Sequence, residues 1–264
     1  MFAEVNGTGP PVLFLHGLGG SSYSWRETWP DLAGRYTTYA VDLPGFGPHG
    51  LPGQESAPLP ENAWNVVGLA DAVRGFILSR GLTAPIVIGH SMGGAVALRL
   101  AEAANNAGSG FGIARMVLLA PAAFPPNGSA FAGVFTATDA ASRARAILQI
   151  AYANPGAISQ KQVDAYATGL SVGHLPVFSA LALDLPRIGS PPPRFAGIAA
   201  ETLVIWGDED RILPPDEAPP ASGPAKALCA ALPHASLVEI LRCGHIPQEE
   251  KMAETNAAIA AFLH

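Results

Sequence analysis

Residues 85–100 read PIVIGHSMGGAVALRL. The opening run, Pro85 to Ile88, is short, apolar and β-branched, which suits a buried strand. The closing run, Met92 to Asn105, is alanine-rich and suits a helix. Between them stands Gly89-His90-Ser91-Met92-Gly93, a G-x-S-x-G turn from strand to helix. Such a turn strains the serine backbone and lifts its hydroxyl above the sheet. Glycine is needed on both sides because a Cβ would clash where strand and helix pass closely. Alone the pentapeptide is a weak signal, since a capping serine in a Gly-rich helix start reads the same way. Its strand-and-helix context favours a nucleophile at Ser91.

Outward from this turn the same alternation recurs. Strands are expected at Pro11–Leu15, Tyr36–Val41, Arg115–Leu119, Thr202–Trp206 and Leu237–Leu241. Helices are expected at Ser22–Arg35, Glu61–Arg80, Ala225–Leu232 and Glu250–Leu263. Strands apolar on both faces, alternating with helices, imply an α/β fold with a mostly parallel central sheet and helices on both faces. Residues 122–199 break the rhythm. They open with Pro125-Pro126, approach their end at Pro191-Pro192-Pro193, and carry helical patterns at Thr138–Tyr152, Ser159–Ser171 and Leu175–Leu185 without an evident strand. A stretch of this length is better read as a helical cap inserted into the core domain than as a structureless loop. The expected division is therefore 1–121 with 200–264 as core, and 122–199 as cap.

Composition narrows the classes. The chain has 264 residues, 49% of them hydrophobic and 14% charged, with a net charge of −6. It is too apolar for a disordered segment and long enough for one large core. An acidic balance argues against a nucleic-acid partner, which demands a basic footprint. No lysine precedes Lys161, so the first half has none for a phosphate cradle. The two cysteines, Cys229 and Cys243, have neither metal nor disulfide-framework spacing and read as free thiols. No signal peptide and no membrane span are visible, so a cytoplasmic protein is expected.

In open α/β sheets, sites form at the carboxyl ends of the strands. There stand His16 and Gly17, Asp42, the Ser91 turn, Asp208 and Asp210, and Cys243-Gly244-His245. A serine hydroxyl needs a base to take its proton. Of the seven histidines, His234 falls at the wrong end of the sheet and His264 ends the chain. His49 and His174 line a pocket mouth or are solvated, and the His90 side chain is expected to point elsewhere. His245 is aimed at the correct edge. The imidazole in turn needs an orienting carboxylate. Asp210 is preferred over Asp208, one of which acts as a turn-former. Glu209 faces away from both.

Five ordered motifs then resemble the α/β-hydrolase superfamily in its capped, single-domain branch. They are Leu15-His16-Gly17-Leu18-Gly19-Gly20, Asp42-Leu43-Pro44-Gly45-Phe46-Gly47, Gly89-His90-Ser91-Met92-Gly93-Gly94, residues 206–214 from Trp206-Gly207-Asp208 to Pro214, and Cys243-Gly244-His245-Ile246-Pro247. The resemblance implies a catalytic set of Ser91, Asp210 and His245 in that family's order. It implies an oxyanion hole from the backbone N–H groups of Leu18 and Met92, with no metal or organic cofactor. It also implies a leading hairpin, for which this chain has little room before Pro11.

The expected activity is hydrolysis of small to medium apolar carboxylic esters through an acyl-enzyme. The expected partner is a small ester-like substrate, and a homo-oligomer is permitted. Carbon–carbon bond hydrolases, enol-lactonases and haloperoxidase-like enzymes share the superfamily. The first of these often show G-N-S-M-G-G and G-H-W, where this chain has His90 and Ile246. Phe124, Phe131, Phe135, Phe178, Leu181 and Leu183 wall an acyl pocket or form the insertion's own core. Two other classes compete with this reading. A dinucleotide module would use Gly17-Leu18-Gly19-Gly20 and Asp42, but has Ser22 at the third glycine position and leaves Ser91, Asp210 and His245 idle. A ligand-binding relative would keep the pocket without turnover.

Overall fold

A computed structural model describes residues 1–48, 63–106, 108–126, 130–185, 195–213 and 222–264. Seven strands form one sheet: β1 (Ala3–Asn6), β2 (Pro11–Leu15), β3 (Thr37–Val41), β4 (Ile86–His90), β5 (Arg115–Leu119), β6 (Glu201–Gly207) and β7 (Ala235–Ile240). Their spatial order is β1-β3-β2-β4-β5-β6-β7. Every neighbouring pair is parallel except β1 with β3. The chain moves outward from β2 to β3, then crosses back to β4. That reversal opens a crevice beyond the carboxyl ends of β2 and β4.

Alternating side chains feed two separate cores. Val12, Phe14, Ile88, Val117, Leu119, Leu203 and Ile205 face one way, packing with Trp25, Ile259 and Leu263. Leu13, Leu15, Val87, Met116, Leu118, Val204 and Trp206 face the other way. There they meet α2 (Val66–Ser79), α3 (Met92–Ala104) and α8 (Ser222–Ala231). This period-two sorting is what makes the strands read as unbroken apolar runs.

Between β5 and β6 the described residues hold only helical elements. They include α4 (Ala132–Thr136), α5 (Ala140–Ala151), α6 (Gln160–Thr168) and α7 (Leu175–Asp184). Local chemistry starts two of them. Asp139 accepts from the Ser142 N–H at the head of α5, and Ser159 with Gln162 forms a reciprocal cap on α6.

Several expectations need correction. The single helix over Ser22–Arg35 is a 3₁₀ turn, Ser22–Trp25, followed by α1, Trp29–Leu32. Pro30 has no N–H to give to a preceding turn, so it restarts the helix instead of continuing it. The last helix, α10 (Met252–Leu263), starts two residues later than expected, after an unanticipated short helix, α9 (Pro247–Glu250), and a break at Lys251 with φ −133° and ψ 53°. β1 replaces the expected hairpin with a single edge strand on β3; exposed at three of its four residues, it carries no apolar alternation to announce it. The five-residue α4 was not anticipated either. His49, Glu61, the run Pro191-Pro192-Pro193 and Pro214 lie outside the described residues.

At Gly93, where α3 passes the end of β2, a Cβ would lie 2.1 Å from the Leu15 carbonyl oxygen. Gly75, on the exposed side of α2, has nothing within 4 Å of the same position. Gly93→Ala is therefore expected to lower the unfolding free energy by about 1–3 kcal/mol. Gly75→Ala should raise it by about 0.5–1 kcal/mol. Urea denaturation of the two variants beside the parent reads both signs.

Candidate active site

Ser91 occupies the turn between β4 and α3 with φ 50° and ψ −116°, a conformation that non-glycine residues avoid. The turn holds because its backbone is bonded on both sides. The Ser91 N–H donates to the Leu119 carbonyl at 2.9 Å, and the Ser91 carbonyl accepts from Gly94 and Ala122, each at 2.9 Å. The glycines are steric requirements. A Cβ on Gly89 would meet the Gly93 carbonyl oxygen at 2.5 Å, and one on Gly94 would meet Pro121 Cβ at 2.6 Å.

The hydroxyl so placed meets an imidazole brought from the far end of the chain. Ser91 Oγ lies 2.9 Å from His245 Nε2, and His245 Nδ1 lies 2.8 Å from Asp210 Oδ2. With Nδ1–H donated to the carboxylate, Nε2 is left as the acceptor for the serine proton. Asp210 is fixed by its other oxygen, which accepts the backbone N–H groups of Ile212 (2.8 Å) and Leu213 (3.0 Å). All three side chains are buried. Asp208 instead accepts from the Cys243 N–H at 3.3 Å, bracing the neighbouring loop, and Glu209 is exposed.

The backbone N–H groups of Leu18 and Met92 make no hydrogen bond to the described residues. Met92 is the first residue of α3, whose N–H has no acceptor inside the helix and stands at its positive end. His16 shapes the loop that carries Leu18. Its Nδ1–H donates to the Gly17 carbonyl at 2.8 Å, and its Nε2 accepts from the Leu43 N–H at 3.0 Å. Asp42 accepts from the Ser22 N–H at 2.7 Å and fills the space beside Gly47, whose φ is +70°.

A chamber of about 30 Å³ lies against these groups, lined by Gly17, Leu18, Gly20, His90, Ser91, Phe131, Ile147, Ala151, Tyr166, Ile212, His245 and Ile246. It holds little more than one or two water molecules. Of the aromatic and leucine side chains expected to wall it, Phe131 does so. Phe178 and Leu181 are buried in the insertion's own packing, while Phe135 and Leu183 are 54% and 68% exposed. Sequence reasoning missed Ile147, Ala151 and Tyr166, since nothing in their spacing shows how α5 and α6 pack beside the site, and it missed the wall role of Ile212 in the loop after β6. A larger groove of about 460 Å³ lies between α2 and α3; its Arg99 and Glu102 pair with each other at 2.8 Å, and it contains none of the groups above.

Two histidines are placed differently from expectation. His90 lines the same chamber, and its Nε2–H donates to the His245 carbonyl at 2.9 Å. His174 is buried, neither solvated nor at the chamber; it bonds Ser171 Oγ at 2.8 Å and the Gly47 carbonyl at 3.3 Å. Burial holds His90 well below the usual histidine range, with the nearby His245 adding to the effect. Burial also lowers His16 and His174, each against an opposing backbone hydrogen bond.

Behind the chamber, Glu249 gathers three partners. It accepts from Arg26 Nη1 at 2.8 Å, from the Tyr166 hydroxyl at 2.6 Å and from Gln162 Nε2 at 3.2 Å. Burial, reinforced by the Glu249 charge, pushes the Tyr166 phenol well above its usual range. Its ring therefore stays neutral and fixed as a wall of the chamber.

The strained serine at the switch point of this sheet thus heads a serine–histidine–aspartate hydrogen-bond chain along its edge. The match to the alpha/beta hydrolase family model extends over residues 12–258, and the chain belongs to that family. Among curated relatives, it is 28% identical to the dihydrolipoyllysine-residue acetyltransferase component of the acetoin cleaving system of Cupriavidus necator, over 99% of this chain and 66% of that protein. It therefore spans just under two thirds of that relative's length. It is 27% identical to a 2-hydroxy-6-oxo-6-phenylhexa-2,4-dienoate hydrolase of Burkholderia cepacia, over 97% of this chain and 88% of that one. The fold is shared with a 2-hydroxy-6-oxo-6-phenylhexa-2,4-dienoate hydrolase from Rhodococcus sp. strain RHA1 (TM-score 0.81, 24% identity, 99% and 93% of the two chains). It is shared too with an esterase from Thermogutta terrifontis (TM-score 0.76, 23% identity, 99% and 92%). Among the described residues no single helix is long and apolar enough to cross a membrane.

Histidines held neutral by burial are protonated more readily in the unfolded chain. Stability from His16, His90 and His174 is thus fully present above the unfolded pKa, about 6.5, and is lost as pH falls below it. The thermal midpoint should drop between pH 7.5 and pH 5.5, and the drop should be smaller in His90→Asn. A parent midpoint that rises over that interval would contradict the assignment of these rings as neutral.

Proposed function

We propose that this protein is a serine hydrolase that cleaves short-chain, neutral carboxylic esters. The observation that carries the reading is the unbroken hydrogen-bond chain from Ser91 Oγ through His245 to Asp210, at 2.9 and 2.8 Å. His245 takes the serine proton as Oγ attacks the carbonyl carbon. Negative charge then develops on the carbonyl oxygen, where the Leu18 and Met92 N–H groups serve as donors; one such donor typically contributes about 10²–10³ in rate. The imidazolium, stabilised by Asp210, gives its proton to the leaving alcohol. Water attacks the acyl-serine by the same route and regenerates the enzyme.

The chamber supports the substrate class. Its walls beyond the reacting groups are mostly apolar, Leu18, Phe131, Ile147, Ala151, Ile212 and Ile246, with Tyr166 and His90 both held neutral, which favours an uncharged acyl group. Its volume, about 30 Å³, favours a small one. The insertion over residues 122–199 acts as a cap in this reading, since α5 and α6 supply Ile147, Ala151 and Tyr166.

Carbon–carbon bond hydrolysis is the second reading, favoured by 27% identity to the Burkholderia dienoate hydrolase along nearly the whole chain. It uses the same serine and imidazole on a vinylogous diketone. Such a substrate carries a carboxylate, and among the described residues no lysine or arginine lines the chamber to receive it.

Turnover of p-nitrophenyl acetate, butyrate and octanoate beside a vinylogous diketone separates the two. The ester reading expects kcat/KM to fall from acetate to octanoate and the diketone to be the poorest substrate; the reverse ranking favours the second. Ser91→Ala should lose fluorophosphonate labelling altogether. Asp210→Asn should lower kcat by about 10³–10⁴ while Asp208→Asn loses far less, and the opposite order would move the orienting role to Asp208.

A further inference from the structure

The geometry points to Glu250 as a positioning residue for His245, one that ties the loop carrying the imidazole to the inserted helices. The inference rests on Ser91, His245 and Asp210 being the reacting set proposed above. Glu250 ends α9, five residues after His245. Its Oε2 accepts the Gly244 N–H at 2.7 Å and the Ala153 N–H at 3.1 Å, and its Oε1 accepts the Asn154 N–H at 3.0 Å. One carboxylate thus takes three backbone donors: one from the residue before the imidazole, two from the chain leaving α5. Hydrogen bonds to an ionised acceptor are about twice as strong as neutral ones.

Independent contacts lie along the same seam. The His245 N–H donates to the Ala151 carbonyl, the last residue of α5, at 2.6 Å. A Cβ on Gly244 would lie 2.1 Å from that carbonyl oxygen, so only glycine permits the approach. Arg211, which follows Asp210, donates to the carbonyls of Gln149 and Tyr152. The base loop and the acid loop are therefore both bonded to the end of α5. The same helix supplies Ile147 and Ala151 to the chamber wall.

The wall that meets the acyl group and the backbone that aims the imidazole consequently share an anchor. Any displacement of the end of α5 is therefore passed to the loop that carries His245. A displacement of about 1 Å in such a set can lower the rate about 10²-fold. Glu250 acts here on rate more than on binding, because it touches neither Ser91 nor the chamber.

The test measures kcat, KM and the rate of fluorophosphonate labelling for Glu250→Gln, Glu250→Asp and, as a surface-charge control, Glu254→Gln. A glutamine accepts through one oxygen only and sets its NH₂ against a backbone N–H. For p-nitrophenyl acetate, Glu250→Gln is expected to lower kcat and labelling by about 10- to 100-fold, with KM within threefold. Glu250→Asp keeps the charge and should recover part of the loss. Should the Glu250 variants fail to fold, Ala153→Pro removes one of the three donors and sets its ring carbon against the carboxylate, displacing it without changing Glu250 itself. Tyr152, at φ −87° and ψ 136°, already has the backbone that precedes proline. It should lower kcat and labelling several-fold. Folded Glu250→Gln or Ala153→Pro protein with kcat and labelling within twofold of the parent overturns the inference, as does a loss carried entirely by KM. If the parent labels at Ser91 but cleaves no ester, the substrate reading fails and the labelling rates still decide the role of Glu250. If the parent does not label, both fail together.

Discussion

The backbone at Ser91 is the constraint on which the rest of the site depends. Its φ of 50° costs about 1–3 kcal/mol in isolation. The surroundings over-determine it: four backbone bonds hold its N–H and carbonyl, and a Cβ on any of the glycines at 89, 93 and 94 would clash with neighbouring backbone or Pro121. The result is a hydroxyl held above the sheet at the head of α3, beside the Met92 N–H and opposite the loop that ends β2. Each further partner has only to reach that fixed point.

The partners arrive by two different physical routes. Asp210 and His245 leave adjacent parallel strands, β6 and β7, so their pairing follows from sheet register. Their loops are then braced at Cys243, whose N–H donates to the Asp208 carboxylate and whose carbonyl accepts the Glu209 N–H, without using the side chains of Asp210 or His245. The helices between β5 and β6 are joined to the elements around the sheet by charge as well as by apolar packing. Glu249 sits between Arg26 on one side and Tyr166 and Gln162 on the other. Removing one member of such a buried pair costs more than the pair contributes, because the remaining charge is stranded. The two adjacent carboxylates, Glu249 and Glu250, thus bind the same insertion at two points, α6 and the end of α5.

The sheet was legible because its strands are buried on both faces. Val12 to Leu15, Ile86 to Ile88 and Met116 to Leu119 are apolar without interruption, and no other arrangement hides them. The convergence of Ser91, Asp210 and His245 was legible because chain order and strand ends meet on one edge, and because Gly207 and Gly244 mark the tight loops after β6 and β7. What escaped was set by tertiary contact. β1 pairs through its backbone alone, Pro30 divides a helix that periodicity joins, and His90 and His174 are placed by what lies across from them. The chamber wall could not be read, since Ile147 and Tyr166 look like any core-facing residues of amphipathic helices. Glu249 and Glu250 look like solvated charges in a short helix, yet they carry the junction.

The central claim is a covalent one: a substrate acyl group resides on Ser91 during turnover. Acid-quenching the enzyme within its first turnovers of p-nitrophenyl acetate, followed by mass spectrometry of the intact protein and its peptides, tests it directly. The account predicts one added acetyl group, confined to the peptide containing Ser91, accumulating with a burst of released p-nitrophenol. Steady hydrolysis with no adduct on that peptide, or an adduct on another side chain, would contradict it.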